Sequence, residues 1–116
     1  EHPDVATSLD RLAELYREQG KYEETEPLYQ RALHIQEHAL GLEHPDVANI
    51  LHDLASFRHA QGKHVEAASL YQRAFAIREK VLGPEHPDTI ATRKNYSNLL
   101  LKMEQPTEVI GREGPD

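Results

Sequence analysis

The chain has 116 residues and carries 13 Lys and Arg against 20 Asp and Glu, which leaves a formal net charge of −7 at pH 7. This acidity argues against nonspecific binding to nucleic acid or to an anionic membrane surface, and no apolar run approaches the roughly 18 residues of a membrane span. The absence of Cys excludes disulfides, thiolate nucleophiles and zinc–thiolate sites, and it fits a reducing, cytoplasmic location.

An internal repeat of 42 residues sets the order of the predicted elements. The hexapeptide Glu-His-Pro-Asp-Val-Ala at 1–6 returns at 43–48, and its first four residues return at 85–88. Residues 1–42 and 43–84 share 22 identities without a gap. Such a period indicates stacked units that bury their core between neighbours. We therefore expect repeat one at 1–42, repeat two at 43–84, the first helix of a truncated repeat three at 85–104, and a flexible tail at 105–116. Because the chain starts on a repeat boundary and without Met, we expect it to be part of a longer array.

Repeat one predicts two helices. The first begins at Pro3, where a missing N–H costs nothing, and ends before Gly20. Its apolar residues recur at the spacing of one helix face, and they are Val5, Leu9, Leu12, Ala13 and Tyr16. The second helix extends to Leu40. Pro27 favours a start near residues 23–24, because an interior proline costs a helix about 3 kcal/mol.

Repeat two predicts the same pair of helices over about 45–61 and 65–82. Ser69 stands in the column of Pro27, so the second helix of this repeat should be more regular. A fifth helix is predicted over about 87–104, with an inward face formed by Ile90, Tyr96, Leu99, Leu100 and Met103. No helix is predicted over 107–116, where Gly and Pro interrupt the chain.

Repeat one resembles a tetratricopeptide repeat in three runs, which are LAELY at 12–16, QGKY at 19–22 and LYQRAL at 28–33. The 42-residue period and the opening hexapeptide are similar to the kinesin light chain type. Small residues occupy the columns where the helices of this family cross closely, and these are Ala13, Ala55, Ser97, Ala32 and Ala74. The resemblance covers residues 1 to about 104. It implies an all-α solenoid of antiparallel helix pairs, wound as a right-handed superhelix whose first helices line a concave face.

The resemblance also implies a peptide-binding groove on that concave face. The groove positions of the family correspond here to Asp10, Glu14 and Arg17 in repeat one, His52, Ser56 and His59 in repeat two, and Lys94, Asn95, Asn98 and Lys102 in the last helix; Thr7, Glu18, Asn49, Ala60, Ala91 and Leu101 complete the set. This lining changes from acidic through His-bearing to basic. A partner with one basic and one acidic end would match it. The alternative is that these residues form ordinary solvated helix faces.

The sequence departs from the family in the middle of the first helices. Kinesin light chain-type repeats carry an Asn-Asn pair there that is available to hold the backbone of a bound peptide. The corresponding columns here are Asp10-Arg11, His52-Asp53 and Lys94-Asn95, so only Asn95 matches.

The histidines suggest a cochaperone motif and a metal site, but the sequence pattern favours neither. The His-Pro-Asp tripeptide is similar to the motif of J-domain cochaperones, but that motif occurs once, in a loop between two helices. Here the tripeptide opens each of the three units, which favours a helix start. His34 and His38 are four residues apart and could chelate a metal with His44, yet two histidines without a fixed third ligand bind weakly. We therefore expect no physiological metal site. His52 and His59 either tune groove binding between about pH 6 and 7 or are ordinary exposed histidines.

Nothing in the pattern indicates catalysis, because no phosphate-binding glycine loop and no nucleophile with a base are present. We expect a protein–protein interaction scaffold that binds a peptide segment or partner protein on its concave face, with no enzyme activity, no cofactor, no nucleic acid and no membrane. The alternative is a self-assembly or spacer segment of a longer array. The face of Val5, Leu9 and Leu12, which a preceding unit would cover, then supports end-to-end self-association.

Overall fold

The computed structural model describes residues 2–104, which form five α-helices: α1 (Pro3–Glu18), α2 (Tyr22–Leu40), α3 (Pro45–Ala60), α4 (His64–Leu82) and α5 (Pro87–Glu104). Each helix packs on the next along the chain, and the closest pairs are α1 with α2 and α3 with α4. This is the predicted all-α solenoid. The tail predicted at 105–116 lies outside the described residues.

The His-Pro-Asp tripeptide begins the first helix of every unit. The ring Nδ1 of His2, His44 and His86 accepts a hydrogen bond from the backbone N–H of the Asp two residues later, at 3.0 to 3.1 Å. The intervening proline loses no helical hydrogen bond in the first turn, and the Asp carboxylate meets the positive end of the helix dipole. The tripeptide is therefore a helix cap, as the repeat pattern predicts.

Glycines in left-handed conformations turn the chain inside each unit. Gly20 and Gly62 have φ of +79° and +84°, a region in which a Cβ atom is strained. Their neighbours close the preceding helices, since Lys21 and Lys63 donate backbone hydrogen bonds to Tyr16 and Arg58 at 2.9 Å. These turns bring the second helix of each unit back against the first.

Helix α2 begins at Tyr22, so the predicted start at residues 23–24 is wrong by one or two residues. Thr25 holds the first turn, because both its backbone N–H and its Oγ1 donate to the Lys21 carbonyl, at 3.1 and 2.8 Å. These bonds precede Pro27, which lies inside the helix without a donor of its own. Helix α4 likewise begins one residue earlier than predicted, at His64.

The core lies between consecutive helices and combines small with aromatic side chains. Four of the five small residues predicted at helix crossings are fully buried, and these are Ala13, Ala32, Ala55 and Ala74. Ser97 is exposed instead. The largest buried side chains are Tyr29, Tyr71 and Phe57. Because the alanines admit close approach, these rings fill the remaining space between layers.

The two outermost helices bury less of their apolar faces than predicted. On α1, Val5 and Leu12 are each 37% exposed. On α5, Leu99 is buried, but the inward assignment of Leu100 and Met103 is wrong, because they are 39% and 36% exposed. Among residues 2–104, no helix packs on the far side of either element. Among the helices of residues 2–104, none contains an apolar stretch that could span a membrane.

Candidate functional site

A row of polar side chains joins the first helices of the three units. Arg17 on α1 donates from Nη2 to Ser56 Oγ on α3 at 3.1 Å. The His52 ring on α3 lies 3.2 Å from Asn95 Nδ2 on α5. We call this row the polar face and define it by Asp10, Glu14, Arg17, His52, Asp53, Ser56, Thr92 and Asn95, extended along α5 by the exposed Lys94, Asn98 and Lys102. Six predicted groove positions in this row contact one another or neighbouring polar side chains, and these are Asp10, Glu14, Arg17, His52, Ser56 and Asn95.

Three carboxylates gather at the end of the polar face nearest α1. One oxygen each from Asp10, Glu14 and Asp53 lie within 4.8 Å of one another. Tyr29 donates from its hydroxyl to Glu14 Oε2 at 2.7 Å, which fixes that side chain. Carboxylate oxygens at this spacing are ligands of a kind that hard divalent cations take. They also repel one another unless a proton or a cation lies between them.

A proton satisfies part of this cluster. Burial raises the pKa of Asp53 to about 8, and the neighbouring Asp10 and Glu14 carboxylates add to the shift. Burial also raises the pKa of Asp10. Asp10 and Asp53 lie close enough to share a hydrogen bond, so at neutral pH one of the two retains its proton. Sequence reasoning missed Asp53, since its burial depends on the packing of α1 against α3.

Arg78 of α4 is buried behind the middle of the polar face and forms hydrogen bonds with α3 and α5. Its side chain is only 7% exposed, and its Nη1 donates to Thr92 Oγ1 at 2.6 Å and to the Asp88 carbonyl at 3.2 Å. Its Nη2 donates to Asn49 Oδ1 at 2.7 Å. One guanidinium therefore ties α4 to both α3 and α5. Sequence reasoning missed it because the predicted groove was drawn from first helices alone.

His52 does not titrate near neutral pH. Burial, and then the positive charge of Arg78, lower the pKa of His52 to about 4. The hypothesis that this residue tunes binding between pH 6 and 7 is therefore wrong, and the ring is half-buried rather than exposed. Burial also lowers the pKa of His59, together with the nearby charges of Lys102 and His64. Lys102 of α5 thus lies close to His59 of α3.

The predicted basic end of the groove is open to solvent. Lys94, Asn98 and Lys102 are exposed and follow one another at intervals of four residues, so they share one face of α5. Their neighbour Asn95 is half-buried through its contact with His52. The predicted lining is therefore partly engaged in internal hydrogen bonds at its centre and free for contact at its basic end.

The histidines considered for metal binding are arranged differently. The His34 and His38 rings are exposed, with centroids 4.2 Å apart. His44 uses its Nδ1 to accept the N–H of Asp46, so this atom caps α3 instead of facing the other two rings. Within residues 2–104, the group of acidic or histidine side chains that converges closely is the carboxylate cluster.

Two of the cavities in the described part of the chain bear on the site, and they lie in different places. The larger, about 470 Å³, is lined by α2 residues including Tyr22 and Pro27 and by Lys63, and it contains none of the predicted groove residues. A smaller one, about 150 Å³, lies between α1 and α3 and includes Asp10. The smaller cavity adjoins the polar face, so it is the one that a ligand on that face could reach.

The chain resembles known repeat proteins over most of its length. Two sequence profiles of the Tetratricopeptide repeat family match residues 5–46 and 46–111. The structure of kinesin light chain nearly identical TPR-like repeats from Podosopora anserina is 31% identical, with a TM-score of 0.79, over 90% of this chain and 50% of that one. BtubC (BKLC) from P. vanneervenii is 23% identical, with a TM-score of 0.82, over 90% of this chain and 42% of that one, and it supports the fold alone. No curated protein matches the sequence. The chain spans half or less of the length of these solved structures.

Proposed function

The chain belongs to the tetratricopeptide repeat family, of kinesin light chain type, and on that premise we propose that its polar face binds a peptide segment of a partner protein. Repeats of this family generally mediate protein–protein interaction. The observation that carries the proposal is the continuous polar row from α1 to α5, with carboxylates at one end and exposed lysines at the other. The Cys-free composition fits a cytoplasmic module, and binding of this kind requires no catalysis.

Charge supports one orientation of the bound segment. Asp10, Glu14 and Asp53 form the acidic end, whereas Lys94 and Lys102 form the basic end. A peptide whose basic residues meet the carboxylates and whose acidic residues meet the lysines places opposite charges together. Such complementarity affects orientation and association rate more than affinity. We therefore propose that the partner segment carries charge of both signs, separated along its length.

A peptide-display screen against the purified chain tests this proposal. The comparison variant is the double charge reversal Lys94→Glu/Lys102→Glu, and the matched control is Lys63→Glu/Lys80→Glu, which reverses two exposed lysines outside the polar face. Enrichment of peptides with a shared acidic motif that the first variant loses and the second retains would support the polar face. Equal binding by the wild type and the first variant would contradict it.

Exposed apolar side chains favour a second candidate, which is end-to-end association of the array. Leu15 of α1 is 48% exposed and Leu101 of α5 is 54% exposed. Other apolar side chains of the same helices are partly exposed, and these are Val5 and Leu12 on α1 and Leu100 and Met103 on α5. Units of a solenoid bury their apolar faces against other units, so two such ends can stack. Sedimentation over a range of concentrations separates the candidates, since a monomer at every concentration excludes stacking.

A further inference from the structure

The smaller cavity contains buried polar atoms that lack partners. We name it the unit-one cavity and define its polar lining by Thr7, Asp10, Gln36, Asp46 and Asn49. Gln36 lies at its base and is only 4% exposed, yet its Oε1 has no hydrogen-bond partner among residues 2–104. The buried Oδ1 of Asp10 has none there either. An unsatisfied buried acceptor costs about 1 to 3 kcal/mol, so both oxygens favour an incoming donor.

The repeat itself indicates which donor fits. A shift of 42 residues carries Gln36 onto Arg78, Thr7 onto Asn49, and Asp10 onto His52. In unit two the Arg78 guanidinium occupies the corresponding space, and it donates to Asn49 Oδ1 and to Thr92 Oγ1. Unit one has a shorter, neutral Gln in that column and a cavity of about 150 Å³ where unit two has a guanidinium.

The surroundings of the unit-one cavity are more negative than those of the equivalent space in unit two, which favours a bound cation. Asp10 replaces the neutral His52 of unit two, and Glu14 and Asp53 lie beside it. The two acceptors belong to different helices, Asp10 to α1 and Gln36 to α2, which suits a planar group with several donors better than the compact ammonium of lysine. Thr7, Asp46 and Asn49 are exposed and form the mouth, so a side chain from outside can enter.

We propose that the unit-one cavity binds the guanidinium group of an arginine side chain from the partner peptide, in the place that Arg78 fills in unit two. This inference rests on the proposed function, because the arginine belongs to the segment bound on the polar face. The guanidinium donates to Asp10 Oδ1 and Gln36 Oε1, the two acceptors without partners. Its positive charge also meets the carboxylate cluster and takes over the role of the proton shared there.

Titration of the isolated side chain tests the cavity without any peptide. Backbone and side-chain amide shifts of the 15N-labelled chain are followed while N-acetyl-arginine amide or N-acetyl-lysine amide is added. We expect saturable shifts around Gln36 and Asn49 with the arginine probe, and a lysine affinity lower by about tenfold, the loss that about 1.4 kcal/mol of hydrogen bonding produces. Equal affinity for the two probes, or no saturable shift with arginine, would overturn the proposal.

Two variants make the test specific to the cavity. Gln36→Arg supplies an internal guanidinium, as Arg78 does in unit two, and should abolish arginine binding. Asp10→Asn keeps the shape of the cavity and removes its charge, and should weaken binding by about tenfold. If Gln36→Arg does not fold, Asp10→Asn carries the comparison, and the control is Lys63→Glu, which lies after the opposite end of α3 from Asp46 and Asn49. Undiminished arginine binding by Asp10→Asn would overturn the proposal.

The peptide screen then separates this inference from the function on which it rests. Enriched peptides that lose affinity when a single arginine is replaced by lysine, and that no longer bind Gln36→Arg, agree with both proposals. Enriched peptides that need no arginine leave peptide binding intact and overturn the cavity assignment. An absence of enriched peptides together with saturable arginine binding shows that the cavity is selective but that the proposed function is wrong.

Discussion

Removal of the Arg78 guanidinium should loosen the junction of α3, α4 and α5. We consider Arg78→Met, which keeps most of the apolar stem and removes the donors to Thr92, Asn49 and the Asp88 carbonyl. A hydrogen bond from a charged group contributes about 1.5 to 3 kcal/mol, while the buried guanidinium also regains hydration on unfolding. We therefore expect the free energy of unfolding to fall by about 2 to 4 kcal/mol.

The repeat provides a matched control for this variant. Gln36→Met changes the same column in unit one, where the amide Oε1 has no partner among the described residues. Its expected cost is below about 1 kcal/mol. Urea denaturation followed by circular dichroism gives both values, and hydrogen exchange should show lower protection in α5 for Arg78→Met alone. Equal stability of the two variants, within about 0.5 kcal/mol, would refute the role assigned to the Arg78 network.

Three further changes test the same account. The native pKa of Asp53 is about 8, above its ordinary 3.8, so the folded chain binds more protons than the unfolded chain between these values. Stability should therefore fall as pH rises through that window, by at most about 1.4 kcal/mol per pH unit. Asp53→Asn should flatten the fall between pH 6.5 and 8 in thermal unfolding, and an unchanged slope would contradict the buried proton. The pKa of His52 is lowered from 6.5 to about 4, so between these values this residue makes stability rise with pH and offsets part of the fall caused by Asp53. His52→Gln should therefore extend the fall in stability to lower pH. A pH–stability profile identical to that of the wild type would contradict the lowered pKa of His52. Pro27→Ala should stabilise the chain by about 1 to 3 kcal/mol in urea denaturation, because it restores a helical donor. The control is Ser69→Ala in the same column of unit two, which should change stability by about 0.5 kcal/mol or less. Equal effects of the two substitutions would contradict the cost assigned to the proline.

Local signals in the sequence predict the helices well. Each first helix starts where His, Pro and Asp together provide a cap, a fixed φ and a favourable charge, and each turn contains a glycine with positive φ. These features act within a few residues of one another, so a single sequence reveals them. The start of α2 was misplaced because the bonds from Thr25 to Lys21 outweigh the disruption expected from Pro27.

The candidate site could be predicted only in part, because it forms between units. Arg17 and Ser56 are 39 residues apart, and His52 and Asn95 are 43 apart, close to the period of the repeat. The period therefore brought these columns together correctly. Burial was not predictable in this way: Asp53 and Gln36 acquire their surroundings partly from side chains on a neighbouring unit, and the sequence has no local mark of that contact.

Substitutions between equivalent columns prove the most informative part of the sequence. Gln36 and Arg78 occupy one column, yet one leaves a cavity and the other fills it. The difference was visible in the sequence alignment of the two units. Its meaning was not, because only the packed structure shows that this column of the second helix reaches the space between first helices.

The most direct test of the account is to map where a display-selected peptide contacts the chain. Amide shifts of the 15N-labelled protein, recorded during titration with the most enriched peptide, report the contacted surface. We expect the shifts to follow the polar face from Asp10 through Ser56 to Lys102. Shifts centred instead on the larger cavity, around Tyr22 and Lys63, would contradict the assignment of binding to the polar face.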